Sequence, residues 1–250
     1  MRFHLITLFP EACEAYLSVS IIGRARKEKK VVVAYQQPRD FVENKWRKAK
    51  PSKDGRPGTP YLRVDERPYG GGPGMVMTAL PIVKAVQKAL SRNVGRTTSH
   101  MKKPVIVWFS PGGKSFTNKE ADKLAKYDEV VLVCGRYEGI DERAKKILKT
   151  MAPVKEFAVG EAVYTGGEIP ALAIVDAVTR RLPGVLGKDE SVEERRIASH
   201  AVYTRPEVIS YKDKKYTVPA VLTTGHHKNI DAWRARRSPE RVHEEGREKK

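Results

Sequence analysis

The sequence predicts an α/β protein built on a parallel sheet. Short apolar segments without in-out alternation recur along the chain, and stretches of helical period separate them. Strands buried on both faces lose the alternation that a half-exposed strand keeps, and helices must then cover those faces. Glycine-bearing turns stand directly behind several of the apolar segments, which places a binding edge at the carboxyl ends of the strands.

Residues 2–9 read as a first strand, and Pro10, whose fixed φ suits a helix's first turn, opens a helix toward Leu17. Residues 31–35 are a second β-branched run. Residues 44–73 are dense in Lys, Arg, Gly and Pro with neither period, and read as a long loop. Within residues 79–90, Leu80, Val83, Val86 and Leu90 recur at helical spacing. A strand over 105–109, a helix over 118–126, a strand over 130–134 and a helix over 140–148 follow. Two further apolar runs, 154–159 and 162–164, precede a helix over 171–182, which Pro183, Gly184 and Gly187 stop. No fixed-period repeat occurs, which excludes solenoids and propellers.

Residues 188–200 are charged and poor in apolar groups, as expected of a flexible linker between a large unit over 1–187 and a basic unit over 201–237. In the smaller unit a Lys-Asp turn between short strands spans 211–216, and a helix holds Ile230 and Trp233, so that this unit reads as small and mainly helical. The segment 238–250 reads as a disordered charged tail. From Ser210 to Lys250 eleven Lys or Arg stand against six Asp or Glu, so the basic excess extends into this end of the chain.

Over all 250 residues, 48 Lys and Arg against 30 Asp and Glu leave a net charge of +18, which draws polyanions and makes nucleic acid the first partner to test. Cys13 and Cys134 are the only cysteines, too few for a disulfide framework or a Cys-rich zinc site. The six histidines show no metal-binding spacing. No apolar run approaches the roughly 18 residues of a membrane span, and the apolar stretch before Pro10 lacks a cleavage site, so a cytoplasmic protein is expected.

Three glycine segments follow strands: Ser110-Pro111-Gly112-Gly113, Gly135-Arg136-Tyr137-Glu138-Gly139 and Thr165-Gly166-Gly167-Glu168-Ile169-Pro170. Singly each is an ordinary tight turn; together, in the same place relative to their strands, they predict one pocket. A phosphate-binding loop is not spelled. Gly113-Lys114-Ser115 comes nearest, but Trp108 stands where that motif needs its first glycine. The dinucleotide fingerprint is absent as well, which weighs against a nicotinamide oxidoreductase. What remains is a cofactor held by backbone and apolar contacts, such as an adenosine compound without a phosphate chain. Arg67-Pro68-Tyr69-Gly70-Gly71-Gly72-Pro73-Gly74-Met75, at the end of the basic loop, joins an aromatic to cations and suits contact with a base and a phosphate backbone.

These strings, with Ile140-Asp141-Glu142-Arg143, Asp176-Ala177-Val178-Thr179-Arg180, Pro183-Gly184-Val185-Leu186-Gly187 and Tyr203-Thr204-Arg205-Pro206, closely resemble the bacterial tRNA (guanine-N1)-methyltransferases of the TrmD family, in order and in spacing, from Met1 to about Arg237. The resemblance implies a SPOUT-type parallel sheet with a deep C-terminal trefoil knot, a homodimer with its active site at the subunit interface, and S-adenosyl-L-methionine bent within the knot. It implies cofactor contacts at Ser110, Pro111, Gly113, Gly135, Tyr137, Val159, Gly160, Tyr164, Gly166, Gly167 and Pro170. The implied substrate is tRNA with a guanosine immediately 3′ of the anticodon, methylated at N1. A divalent ion such as Mg²⁺ is left open.

Removing the N1 proton requires a base, and the charge that develops at O6 requires a cationic donor. Arg180 matches the family's arginine for the second role. The family's base is an aspartate in the linker, but Arg195 stands in its place here. Glu194 is the first candidate to replace it, followed by Glu193 and Asp189; the alternative is a catalytically impaired RNA-binding relative of the same fold. Glu138 and Glu168 either balance a sulfonium or hold a backbone turn. Trp46 and Trp233, flanked by cations, either pack in the core or stack on bases.

Overall fold

The structure, a computed structural model, describes residues 1–43, 47–48, 61–91, 103–186 and 201–236, so that Trp46, the linker acids Asp189, Glu193 and Glu194, and Arg195 lie outside the described residues. The chain divides into two compact units, Met1–Val185 and Leu186–Lys250.

The first unit runs β1 (Arg2–Ile6), α1 (Pro10–Leu17), α2 (Ser20–Lys27), β2 (Val32–Gln36) and a 3-10 turn (Pro38–Phe41). The two-residue strands β3 (Arg47–Lys48), β4 (Tyr61–Leu62), β5 (Asp65–Glu66) and β6 (Val76–Met77) follow. Then come α3 (Ala79–Ser91), β7 (Pro104–Ser115), α4 (Asn118–Leu124), β8 (Glu129–Val133), α5 (Glu142–Leu148), β9 (Val154–Ala158) and α6 (Glu168–Thr179). Five strands form one sheet in the order β2-β1-β8-β7-β9, every pair parallel.

Both faces of this sheet are apolar, as the unalternating strands require. Phe3, Leu5, Val107 and Leu132 enter one cluster with Leu17 of α1, Ile22 of α2, Leu124 of α4 and Ile174 of α6. Ile6, Ile106, Trp108 and Val133 enter the other with Ile82 and Val86 of α3 and Leu148 of α5. Each fully buried Leu, Ile or Phe contributes roughly 1.5–3 kcal/mol relative to exposure.

The structure departs from the sequence reading at several places. The short strands β3, β4 and β5 fall inside residues 44–73, read as a loop because two-residue strands show no period. Helix α5 begins at Glu142, two residues after the reading starts it. The sequence reading names no helix over α2; there a Cβ at Gly23 would collide with the Ser18 carbonyl, so the glycine is what lets the helix close on the preceding turn. Strand β7 does not stop at Phe109: Phe109 and Lys114 both pair with Phe157, so Ser110 to Gly113 is an excursion within a strand and not a turn behind one. Helix α6 begins at Glu168, three residues before the reading placed it, and ends at Thr179.

The second half of β7 is fixed by charge. Lys114 Nζ and Lys123 Nζ donate to Glu120 Oε1 at 2.7 and 2.9 Å, and Glu120 is buried. The two ammoniums hold its pKa at about 2, against an ordinary value of 4.5. A depressed carboxyl contributes stability that is complete above the unfolded value and is lost as pH falls from 4.5 toward 2. Glu120→Gln is therefore expected to destabilise the protein at pH 7 by roughly 1 kcal/mol, after discounting for the exposed ammoniums. The difference between the two proteins should close by pH 2, as urea midpoints across that window will register.

In the second unit β10 (Val208–Tyr211) and β11 (Lys214–Thr217) form an antiparallel hairpin, followed by a 3-10 turn (Ala220–Leu222) and α7 (His227–Arg236). The hairpin and helix fall where the sequence places them. Trp233 is half-buried, with its ring 6.2 Å from that of Tyr203 and tilted to it, and Ile230 is buried. Among the described residues no helix is long and apolar enough to cross a membrane.

Candidate active site

Parallel pairing brings the carboxyl ends of β8, β9 and the first half of β7 to one edge, and the three glycine segments meet there. The Gly167 N–H donates to the Gly135 carbonyl at 2.8 Å, and Arg136 pairs with Gly166 as an isolated antiparallel bridge. A Cβ on Gly167 would stand 2.6 Å from Cys134 Cα, and one on Gly113 would stand 2.7 Å from the Phe157 carbonyl carbon. Backbone cannot yield as a side chain can, so these two glycines are required by close crossing of the chain.

A polar latch ties the edge together. The Thr7 hydroxyl, at the end of β1, donates to Glu168 Oε1 at 2.7 Å and accepts from the Phe9 N–H at 3.0 Å. Glu168 Oε2 lies 2.9 Å from Arg136 Nε, an ion pair without hydrogen-bond alignment, and the Arg136 guanidinium lies 4.6 Å from the Phe9 ring centroid. Glu168 opens α6, where its charge also meets the positive end of the helix. Of the two roles the sequence left open for this carboxylate, it holds the turn. Burial, seconded by the Glu168 charge, pushes the Cys13 thiol up to about 11 and the Cys134 thiol up as well, so neither ionises near neutrality.

The second glycine segment runs into α5 through Asp141, whose side chain accepts from the Arg143 N–H at 2.9 Å; the Arg143 guanidinium beside it holds that carboxyl below its ordinary range. Tyr137 sits at φ 60°, in the left-handed region, a strain of roughly 1–3 kcal/mol held by its surroundings. The end of the basic loop is moored to the same segment. Glu138 N–H donates to the Met75 carbonyl at 3.0 Å and Met77 N–H to the Gly139 carbonyl at 2.9 Å. Beyond the mooring, Gly70, Gly71, Gly72 and Gly74 all take positive φ, and Tyr69 is 97% exposed.

A pocket of about 190 Å³ is lined by Ser110 and Pro111 of the first glycine segment and by Gly135, Glu138 and Gly139 of the second. Glu142, Lys145 and Glu156 complete its wall, over Trp108 and Phe109. Lys145 Nζ pairs with Glu142 at 2.9 Å and Glu156 at 3.0 Å and lies 5.3 Å from the Trp108 ring centroid. Three carboxylates against one ammonium make this wall acidic within a chain of net charge +18.

Of the residues singled out in the sequence, Ser110, Pro111 and Gly135 line the pocket. Gly113, Gly166 and Gly167 form the crossings behind it, and Pro170 is buried in the first turn of α6. Val159 is half-buried, and Gly160 and Tyr164 are exposed in the segment between β9 and α6, where a Cβ on Gly160 would lie 3.4 Å from the Tyr164 hydroxyl. Arg180 is not brought to the pocket. It caps the far end of α6, a 12-residue helix about 18 Å long. Beyond it, Lys30 Nζ donates to the Gly184 carbonyl at 2.5 Å and Arg24 Nη2 to the Val185 carbonyl at 3.3 Å, fixing the chain just before the linker. Thr7, Phe9 and Lys145 were missed in the sequence, where nothing local marks them.

An all-parallel sheet with glycine segments gathered around an acid-walled pocket defines an α/β protein with a pocket at its strand ends. The family model of tRNA (Guanine-1)-methyltransferase TrmD matches residues 1–248, and the chain belongs to that family. A tRNA (guanine-N(1)-)-methyltransferase of Lachnospira eligens is 38% identical over 246 residues, covering 97% of this chain and 92% of the relative. Those of Janthinobacterium sp. (strain Marseille) and Pasteurella multocida are 40% and 39% identical, covering 96% and 97% of this chain and 88% of each relative.

Proposed function

We infer that this chain is an S-adenosylmethionine-dependent tRNA (guanine-N1)-methyltransferase, acting on the guanosine immediately 3′ of the anticodon. The observation that carries the reading is family membership over nearly the whole chain, with the three glycine segments meeting at one edge. The acidic wall suits a cofactor that carries a sulfonium, and the backbone-rich lining suits an adenosine without phosphates. The pocket is smaller than the roughly 300–1,000 Å³ usual for small-molecule sites. The cofactor would therefore extend toward Val159, Gly160 and Tyr164, with the chain knotted at the Gly135–Gly167 crossing.

The cofactor supplies an electrophilic methyl group. The protein's own work is alignment, with the backbone at Ser110, Gly135 and Gly167 fixing the donor and the basic loop with residues 201–237 holding the tRNA. Arg180 stabilises the charge that develops on O6, and Glu194 takes the N1 proton. With Arg180 at the opposite end of α6 from the glycine segments, the site is completed by a second copy of the chain. Helix α6 favours this arrangement: it is apolar nearly all round, yet Ile169 is 58% exposed and Ala173 is exposed beside it. Among the described residues no group of three or more His, Cys, Asp or Glu is arranged to hold a metal ion.

Arg195 at the position of the family's aspartate favours a second reading, a relative that binds RNA without transfer. Incubating the protein with labelled S-adenosylmethionine and a tRNA transcript, with and without EDTA, separates the two. Label on guanine N1 is expected, while tRNA binding without transfer supports the second reading. Glu194→Gln is expected to lower kcat by about 10²–10⁴ with cofactor affinity unchanged. Undiminished turnover would move the role to Glu193 or Asp189.

A further inference from the structure

The hairpin of the second unit carries an exposed surface to which the reading above gives no particular role. Its eight strand residues are all exposed, including Ile209 and Tyr216 at 55% and Tyr211 at 61%. A two-stranded ribbon in water is marginal on its own, and exposed aromatics on it mark a contact surface. The register pairs Ile209 with Tyr216 and Tyr211 with Lys214. Side chains alternate between faces, so these four residues share one face, while Val208, Ser210, Lys215 and Thr217 share the other. On the first face the two tyrosines are diagonal neighbours, roughly 7–8 Å apart, which leaves each ring a face of its own to offer.

The turn adds charge at one end. Lys212 and Asp213 take φ 46° and 59°, the conformation of a tight hairpin turn, and Lys212 Nζ lies 5.4 Å from the Tyr211 ring centroid. Lys212 and Lys214 against Asp213 leave a local charge of +1 beside the rings, with Lys215 on the other face. Aromatic rings interleaved with cations suit unpaired bases on a phosphate backbone: each ring takes a base face and each ammonium a phosphate. An acidic protein partner would answer the lysines but leave Tyr211 and Tyr216 without purpose.

We propose that the Ile209–Tyr211–Lys214–Tyr216 face of this hairpin is a stacking platform for unpaired bases of the tRNA substrate. The proposal rests on the reading of the second unit as the RNA-binding one. Its test uses the full-length protein and an unmodified tRNA transcript, with binding followed by anisotropy over a range of salt. Tyr211→Leu and Tyr216→Leu are each expected to weaken binding about tenfold without changing the salt slope. Lys212→Gln should weaken it while reducing that slope by about one. The Phe variants at both tyrosines keep the ring and should bind as the wild type does, which separates stacking from folding. Wild-type affinity in both Leu variants, or equal loss in the Leu and Phe variants, overturns the proposal while leaving the methyltransferase reading intact. A Leu variant that changes sedimentation and not tRNA affinity assigns the face to a second copy and also overturns it. Failure of the wild type itself to bind tRNA overturns both.

Discussion

An Arg180→Ala chain is expected to lose about 10²–10³-fold in kcat while binding S-adenosylhomocysteine as before, and to regain activity when mixed with a Ser110→Trp chain. The loss follows from removing the donor that the proposed mechanism sets against the charge developing on O6. The rescue follows from the length of α6, which separates Arg180 from the glycine segments by about 18 Å, well beyond the reach of its side chain. The Ser110→Trp chain is disabled differently: an indole at Ser110 fills a pocket of about 190 Å³ and removes the hydroxyl that accepts from the Gly112 N–H. In a two-fold dimer that takes Arg180 from one copy and the cofactor segments from the other, a mixed dimer has one intact site and one doubly defective site. Random exchange makes half of the dimers mixed, so about a quarter of wild-type activity is expected. Each variant alone stays inactive. A mixture no more active than its components would place both contributions in one chain, and the shared site would be lost with it.

The sheet was legible because its strands are apolar on both faces, a pattern that surrounding helices alone can satisfy. Phe3 and Leu5 face one cluster while Ile6 faces the other, and the sequence shows this as a continuous run. Local signals failed where the deciding partner is remote. The excursion at Ser110 to Gly113 reads as a turn behind a strand, because nothing nearby reveals that Lys114 returns to pair with Phe157. Nothing local marks Lys145 or Glu156, yet they close one wall of the pocket through their mutual ion pair and the Trp108 ring beneath. Thr7 and Glu168 are 161 positions apart, and no periodicity couples a hydroxyl behind the first strand to a carboxylate opening the last helix of the unit. The family strings located Arg136 and Glu168 as motif members without indicating that they meet.

That meeting carries the second large effect. Glu168→Ala is expected to cost about 3 kcal/mol, the lower end for breaking a buried pair, because the Arg136 side chain retains 25% exposure and can recover some water. For a domain of this size the melting temperature should fall by about 6–12 °C. The damage is specific in kind. Without the carboxylate, the Thr7 hydroxyl loses its acceptor, the Arg136 guanidinium loses its ion pair and keeps its stacking on Phe9, and α6 loses the negative charge in its first turn. Each of these groups comes from a different strand end, so the Gly135–Gly167 crossing should loosen before the sheet does. Glu168→Gln retains an acceptor for Thr7 but not the charge, and should lose about half as much stability as the alanine variant. If the latch sets the pocket, cofactor affinity should fall in the order wild type, Gln, Ala, in step with melting temperature. Combining either variant with Arg136→Met should cost less than the sum of the single changes, since the stranded guanidinium is then gone. Strict additivity in that cycle would mean that the 2.9 Å contact holds nothing, and the crossing would owe its closeness to the glycines alone.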